Sequence, residues 1–571
     1  MLDVPDLGTW TPFRPVSLVL PYYQAPRELS ITLAALARQS YPMELLEVVV
    51  ADDGSNPPLE LEAGDHPFDL VVVHQEDLGF GLARARNTGA KAASGEILVF
   101  IDCDMVPEPW HVEAHARWHH VASDALTIGF RRHVEFDEIT PEMVRDAAGS
   151  EEGLEGLLGS RDWSVPEWIE RHMVRTNELT SDDDDLFRVA AGGNLGIRKE
   201  TYFRLGGSDE SFTQWGAEDI EFGFRAFTDG LLFVPERAAL CWHQGEGEEP
   251  SPSEVRSLED QRAKISHLIA HRGFRRSVAG RSFAVPRATI TIRTGDESRD
   301  IVLEAVESWL ASSFHDLLLL VDLPADHPDA VWLTRQLDPD PRVTVAEAPD
   351  ADRLAPFTPV HVETSAQVAV EPETLGRLVA LLEGQHPLGV VHSTIRGRSP
   401  RDEVLIAWAR RAWSRATRVA DRSEDVAEVA GELFGERWVP GSDLGIRLVS
   451  EERQPIAADA PVAPGSGAGI SAAEVSDLQQ LALLVDAEQR GELLAMARQV
   501  LGPMSDRQRR LLLRVAKRIA LLVAATLGLF TRTGKPFGAR LADLFRAMLP
   551  WAIYRRLRSV GVALVSPFRR R

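Results

Sequence analysis

Ile97-Leu98-Val99-Phe100-Ile101-Asp102-Cys103-Asp104 sets five apolar residues directly before two carboxylates. The apolar run is short and continuous, so it reads as a buried strand. Side chains alternate along an extended chain, so Asp102 and Asp104 can point the same way while Cys103 faces the core. Two such carboxylates suit a divalent cation carrying a diphosphate. Segments upstream follow the same alternation. Val16-Ser17-Leu18-Val19-Leu20 reads as a strand ended by Pro21, and 27–40 has helical spacing of Leu29, Leu33, Leu36 and Ala37. Residues 47–51 form a second strand stopping at Asp52-Asp53-Gly54-Ser55, 70–73 a third, and a helix around 83–93 leads into 97–101. This is an α/β sheet, which binds ligands beyond the carboxyl ends of its strands, where the acidic motifs sit.

A further acidic motif, Trp215-Gly216-Ala217-Glu218-Asp219, stands about a hundred residues downstream. A carboxylate there can act as a general base on a substrate held at the first pair. It also reads as the acidic first turn of a helix, favourable with the helix dipole, and both readings hold together.

A chain of 571 residues exceeds one ordinary core, so two or three domains are expected. Two cysteines, Cys103 and Cys241, give no disulfide framework, and the start Met1-Leu2-Asp3-Val4-Pro5-Asp6 has no basic and apolar leader pattern. A cytoplasmic location is expected. Net charge is −24, unevenly spread: residues 507–571 hold sixteen Arg or Lys against Asp543 alone, a charge of +15 that leaves −39 for the preceding 506 residues. An acidic body with a basic, apolar tail argues against nucleic-acid binding and points the tail to an anionic membrane surface.

Domain 1–280 carries the strand–helix alternation. Within it, residues 141–188 read as an insertion whose run Asp182-Asp183-Asp184-Asp185 is expected to be a solvated, mobile loop rather than a metal site. Residues 286–450 read as a degenerate second copy. Val306 to Phe314 echoes Leu33 to Tyr41, 317–321 matches 46–50, and Val368-Ala369-Val370-Glu371-Pro372-Glu373 falls where Asp104-Met105-Val106-Pro107-Glu108 would lie, with its acidic pair gone. Gly441-Ser442-Asp443-Leu444-Gly445-Ile446-Arg447 echoes Gly192-Gly193-Asn194-Leu195-Gly196-Ile197-Arg198. Residues 451–475 are a Pro- and Gly-rich linker, and 476–571 a helical, basic amphipathic region. Its longest uncharged stretch, 519–531, is short of the roughly 20 residues that span a bilayer, so a helix lying in the interface fits, with packing on the body as the other reading.

The motifs of the first 250 residues resemble a family 2 glycosyltransferase with a GT-A fold. The resemblance rests on Val16 to Tyr23, on Gln39-Ser40-Tyr41-Pro42 with Val49 to Ser55, on Gly79-Phe80-Gly81-Leu82-Ala83-Arg84-Ala85-Arg86-Asn87-Thr88-Gly89, and on Phe100 to Asp104. The segment from Ala191-Gly192-Gly193-Asn194 through Gly206-Gly207-Ser208-Asp209-Glu210 to Trp215–Asp219 is similar to the galactosyl- and N-acetylgalactosaminyl-transferase branch, which includes chondroitin-type polymerases; Gln214 stands where that branch often has glycine.

The resemblance implies a nucleotide pocket of Pro21, Tyr23, Asp52, Asp53 and Asp102. Arg84 or Arg86 would neutralise diphosphate charge or brace the sheet. Asp104 and His243 would hold the metal, Mn²⁺ (or Mg²⁺), with a surface histidine beside Trp242 as the plainer reading of His243. His243 is expected to follow a strand at 231–234. Asp219 would be the base and Glu218 would bond donor sugar or acceptor, while Gly193, Asn194 and Trp215 would form the sugar and acceptor side. The implied activity is metal-dependent, inverting transfer from a UDP-linked sugar to a glycan or lipid-linked acceptor in cell-surface glycan synthesis. The enzyme would sit peripherally on the inner face of the cell membrane. The alternative is a nonenzymatic scaffold of the same fold.

Overall fold

The computed structural model describes residues 3–245, 252–395 and 403–449, so the predicted linker and basic tail lie outside the described residues. β1 (Val16–Tyr22), β2 (Leu46–Asp52), β3 (Asp69–His74) and β4 (Ile97–Ile101) are parallel in the order β3-β2-β1-β4. β1 and β4 are buried at every position, as strands covered on both faces must be. α1 (Pro26–Leu36) and α2 (Leu82–Ala92) belong to the crossovers, and proline opens α1 where its missing N–H costs nothing.

Pro21 does not end β1. The Tyr22 carbonyl accepts from Asp53 N at 2.9 Å, so Tyr22 faces β2. Pro21 therefore faces the β4 side, where pairing stops at Val19–Phe100, and its absent N–H breaks no ladder bond.

Beyond β4 the sheet turns mixed. β5 (Met105–Pro107), α3 (His111–Val121), β6 (Ala125–Val134), β7 (Trp163–Ser164), β8 (Asn194–Arg198) and β9 (Leu232–Gln244) extend it as β4-β8-β6-β9-β5, with β7 on β6. β9 is one strand of 13 residues that carries His243 itself, where the apolar pattern showed only 231–234. The polar stretch Glu236-Arg237 is absorbed by an irregularity opposite it, the register jumping from Ile128–Pro235 to Phe130–Leu240. α4 (Glu218–Thr228) and α5 (Pro252–Leu268) flank the sheet's functional end.

A second sheet follows, from β10 (Ala288–Arg293), α6 (Arg299–Leu310), β11 (Leu317–Asp322), β12 (Val343–Ala346), β13 (Val360–Ser365), β14 (Val368–Val370), β15 (Val390–Thr394), β16 (Glu403–Ala409), α7 (Arg410–Val419), β17 (Glu436–Pro440) and β18 (Ile446–Leu448). Its order β12-β11-β10-β13-β16-β15-β17, with β14 paired to β18, follows the first sheet in order and direction, β17 and β18 together taking the place of β9 and β7 having no counterpart among the described residues. By this register Gln367 precedes β14 as Asp104 precedes β5, and Leu448 opposite Val368 stands where His243 stands opposite Met105. The echo of Gly192–Arg198 in 441–447 is displaced: that segment leads into β18, at the place of the end of β9, whereas β16 takes the place of β8. A turn entering a strand is spelled alike in both, which is why the similarity misled.

The acidic run at 182–185 is not a free loop. Asp183 and Asp185 pair with Arg175 at 3.1 and 2.7 Å, Asp184 pairs with Arg272 and accepts from Gly384 N at 2.8 Å, and Asp182 meets His386 at 2.5 Å. The run thus ties the first lobe to the second, its repulsion offset by the nearby Arg175 and by Arg272, 88 residues along the chain. α7 adds Arg415 on Asp124 and Arg418 on Asp229.

The segment joining the sheets is fixed by a buried pair: Arg275 Nε and Nη2 donate to Asp316 at 2.8 and 3.0 Å, both side chains 1% exposed. Asp316→Ala would leave a buried guanidinium unpaired and should cost about 3–5 kcal/mol of stability. Urea unfolding would read this as a drop in midpoint; an unchanged midpoint would remove the pair's role. Among the described residues no helix is long and apolar enough to cross a membrane.

Candidate active site

The site lies at the carboxyl ends of β1, β2 and β4. Asp53, at the end of β2, accepts from Gly81 N (2.9 Å), Gln75 Nε2 (2.6 Å) and Arg84 Nη2 (3.1 Å). A Cβ at Gly81 would lie 2.5 Å from Asp53 Oδ1, so only glycine allows this approach. Asp52 is buried and shapes the following turn, accepting from Ser55 N and Leu59 N, each at 2.9 Å, with His74 Nδ1 3.1 Å away. Burial alone would raise its pKa, but those amide bonds and the histidine bring it below the usual carboxylate range. Asp52 is therefore a turn residue rather than a base contact. Pro21 is buried in β1, and Tyr23 beyond it is 49% exposed. Arg84 also donates to the Glu76 carbonyl at 2.5 Å.

Arg86 joins the two acidic motifs. Buried in α2, it donates to Asp102 Oδ1 and to Glu218 Oε1, both at 3.1 Å. Burial disfavours its charge, yet Asp102, Glu218 and Asp219 together raise its pKa. Gly192 and Gly193 pass directly over this pair. A Cβ at 192 would lie 2.6 Å from Arg86 Nη1, and one at 193 would overlap Asp102 Oδ2. Gly193→Ala should therefore push the Asp102 carboxylate away and weaken nucleotide affinity about tenfold. Calorimetry with a nucleoside diphosphate checks this, and unaltered affinity counts against Asp102 as a contact.

Asp104 Oδ2 and His243 Nε2 face each other across 3.5 Å. Asp104 Oδ1 and His243 Nδ1 are buried and have no hydrogen-bond partner among the described residues. Burial, with Asp102 adding to it, raises the Asp104 pKa against the lowering pull of His243. A carboxylate and an imidazole set together, each with a further buried atom that takes no hydrogen bond from the described residues, fit a cation's donor set. Among the described residues no three His, Cys, Asp or Glu side chains converge as a metal site. His133 of β6, opposite His243 in the sheet, sets its ring 4.5 Å from the His243 ring. Its pKa is lowered to about 4, by burial first and then by His243 and Arg131. Sequence reading missed His133, because only the parallel pairing of β6 with β9 brings it there.

The pentapeptide is held from both ends. Ala217 takes a left-handed φ of +77° before α4. The Trp215 carbonyl accepts from Ser257 Oγ (2.9 Å) and Gln261 Nε2 (2.8 Å) of α5, leaving the indole 42% exposed. Asp219 Oδ2 accepts from Gly192 N at 3.2 Å. Glu218 Oε2 is buried without a partner among the described residues. Burial and the neighbouring Asp219 outweigh Arg86 and raise the Glu218 pKa to about 7.

A carboxyl whose folded pKa lies above its unfolded value contributes stability at low pH that is lost as pH rises through the folded value. The wild type should lose stability relative to Glu218→Gln between about pH 5 and pH 8. Melting temperatures across that range that run parallel would contradict it.

Asn194 does not line the site. It is 2% exposed; its oxygen lies 2.9 Å from both His111 Nε2 and His115 Nε2, and its amide donates to the Phe130 and Ala239 carbonyls, both at 3.0 Å. Its polar groups are spent under the sheet, so its place beside Gly193 is structural. Cys103 is partly buried against the core, where burial raises its thiol pKa.

The chain matches the model of glycosyl transferase family 2 over residues 17–201, and that of the N-terminal domain of galactosyltransferase over 182–235. It is 32% identical over 247 residues to the chondroitin synthase of Escherichia coli, 40% of this chain and 34% of that one. It is likewise 32% identical over 238 residues to a validoxylamine A glucosyltransferase of Streptomyces hygroscopicus subsp. jinggangensis, 39% of this chain and 53% of that one. The chain thus spans a third to a half of the length of these curated relatives. A mannosyltransferase of Pyrobaculum calidifontis, solved with GDP-Man and Mn²⁺, aligns over 47% of this chain and 65% of its own at 19% identity, with a TM-score of 0.28.

Proposed function

With residues 17–201 a family 2 glycosyltransferase domain and a galactosyltransferase-like region closing it, we propose that this lobe moves a sugar from a UDP-linked donor to a saccharide or lipid-linked acceptor with inversion. The observation that carries the reading is the convergence of Asp102, Glu218 and, through Gly192, Asp219 on Arg86. A donor-binding motif and a candidate base, far apart in sequence, share one buried cation.

Asp219 removes the proton of the acceptor hydroxyl as its oxygen attacks the anomeric carbon. The bond from that carbon to the diphosphate oxygen breaks on the opposite face, and its electrons leave with the nucleoside diphosphate. Asp104 and His243 would hold Mn²⁺, which when bound neutralises the diphosphate. Arg86 and Arg84, each already committed to carboxylates, brace the carboxyl ends of the sheet. Tyr23 offers an exposed ring to the base, with Asp53 at the floor of that pocket. Trp215 offers a flat face to a sugar, and Glu218 Oε2 a hydrogen-bonding site for a hydroxyl.

The second lobe, 286–450, is in this reading a degenerate copy. Gln367 and Leu448 stand in place of Asp104 and His243, so these two matched positions lack the carboxylate and imidazole of the first lobe. Synthesis of a cell-surface glycan and attachment of the basic tail to the inner membrane face complete the proposal.

The test is release of nucleoside diphosphate from a panel of nucleotide sugars with and without Mn²⁺. A transferase hydrolyses at least one donor slowly and only with metal. A scaffold releases nothing, and that result would end the proposal.

A further inference from the structure

A cavity of about 460 Å³ opens where the two lobes meet, lined by Asn87, Asp209, Glu210, Glu221, Leu268 and, from the second lobe, Phe357. It shares both helices of the candidate active site. On α2, Arg86 serves the site and the next residue, Asn87, the cavity; on α4, Glu218 serves the site and Glu221 the cavity, about 4.5 Å of helix rise further on.

The chemistry of the lining is selective. The Arg225 guanidinium is paired: Nε and Nη2 donate to Glu221 at 2.7 and 2.6 Å, Nη1 donates to the Leu205 carbonyl at 2.5 Å, and its central carbon lies 6.0 Å from the Phe357 ring centroid. Asp209 accepts from Ser211 with Oδ1, and Glu210 accepts from Asn87 with Oε1, also facing Lys91 at 3.8 Å. The second oxygen of each carboxylate takes no hydrogen bond from the described residues. Lys264 lies over the Phe212 ring, its Nζ 3.9 Å from the centroid. The floor is apolar, from Leu268, Val285 and the half-buried Phe357.

Two free carboxylate oxygens suit hydroxyl donors, and an aromatic ring suits the C–H face of a sugar. The described lining sets the carboxylates of Asp209, Glu210 and Glu221 against one guanidinium, already paired with Glu221, so a carboxylated sugar would add like charge to an acidic pocket. The volume falls within the roughly 300–1,000 Å³ of small-molecule sites.

We propose that this cavity is an acceptor-side subsite for an uncharged sugar unit, with Asp209 and Glu210 accepting from its hydroxyls and Phe357 packing on its ring. It rests on the reading of the first lobe as a glycosyltransferase. The second lobe thereby gains a role, since Phe357 closes on the catalytic lobe a pocket that lobe cannot complete alone.

The experiment measures binding of chitotetraose, a neutral N-acetylglucosamine tetramer, and of a chondroitin tetrasaccharide to the full chain by calorimetry. It uses the wild type, Val285→Phe, which fills the cavity, Glu210→Gln and Phe357→Ala. Melting curves show which variants fold, and Mn²⁺-dependent donor hydrolysis is read in parallel. The neutral probe should bind wild type at least about tenfold tighter than the uronate probe. It should weaken about tenfold or more in Val285→Phe and Phe357→Ala, and less in Glu210→Gln, with donor hydrolysis unchanged. Equal binding to wild type and Val285→Phe, tighter binding of the uronate probe, or no binding of the neutral probe would each overturn the subsite. Absent donor hydrolysis by wild type, with cavity-dependent binding intact, would instead overturn the transferase reading.

Discussion

Asp219→Asn should lower transfer by about 10²–10⁴-fold, the range a positioned general base contributes, while nucleotide affinity stays within about twofold. The substitution isolates the proton. Asp219 Oδ2 accepts from Gly192 N at 3.2 Å and Oδ1 from Ile220 N at 2.7 Å; asparagine can keep one of these, and with its oxygen on Gly192 N the loop over Arg86 should hold its place. What disappears is the ability to take a proton. The Arg86 bonds to Asp102 and Glu218, which do not pass through Asp219, remain. Single-turnover transfer and calorimetric titration with nucleotide separate the two quantities. Transfer within tenfold of wild type would remove Asp219 from the chemistry, and Glu218, with its unpartnered Oε2, would be the next residue to test.

His243→Ala should weaken Mn²⁺ binding by more than about 100-fold, beyond the 10–100-fold typical of losing a residue behind a ligand. His133→Ala should fall within that smaller range, because His133 touches the His243 ring rather than Asp104. In the proposed site Asp104 and His243 would hold the ion, so loss of either would leave one of the pair, and no group of three metal-binding side chains occurs among the described residues. Manganese electron paramagnetic resonance titration reads bound and free ion directly, without requiring turnover. Equal affinity in His243→Ala and wild type would place His243 outside the metal site, as a partly buried histidine beside Trp242.

Most of the first sheet was legible because parallel strands buried on both faces are spelled as short apolar runs, and 97–101 was bounded correctly by its two acids. Three features were not legible, each for a physical reason. Pro21 lies within β1, since its missing N–H turns toward a side where pairing has ended. β9 hid behind polar residues at 236 and 237 that bulge away from β6. The acidic run at 182–185 looked like a solvated loop because Arg272 and His386 lie 88 and 204 residues from the acids they meet, Asp184 and Asp182, and reach them only on folding. Asn194 shows the converse error. Its neighbours Gly192 and Gly193 line the site, but alternation along β8 turns its amide under the sheet toward His111 and His115.

Sequence alone determined which residue types could do chemistry and that they stand at strand ends, because strand periodicity and acid spacing are local properties. It also placed a second α/β segment after the first. Tertiary structure alone decided the partnerships: that Arg86 is shared by Asp102 and Glu218, that Gly192 reaches Asp219, that His133 backs His243, and that Phe357 of one lobe closes a cavity on the other. Such contacts depend on strand order and register, and no stretch of a one-dimensional pattern records which distant residues a sheet will set side by side.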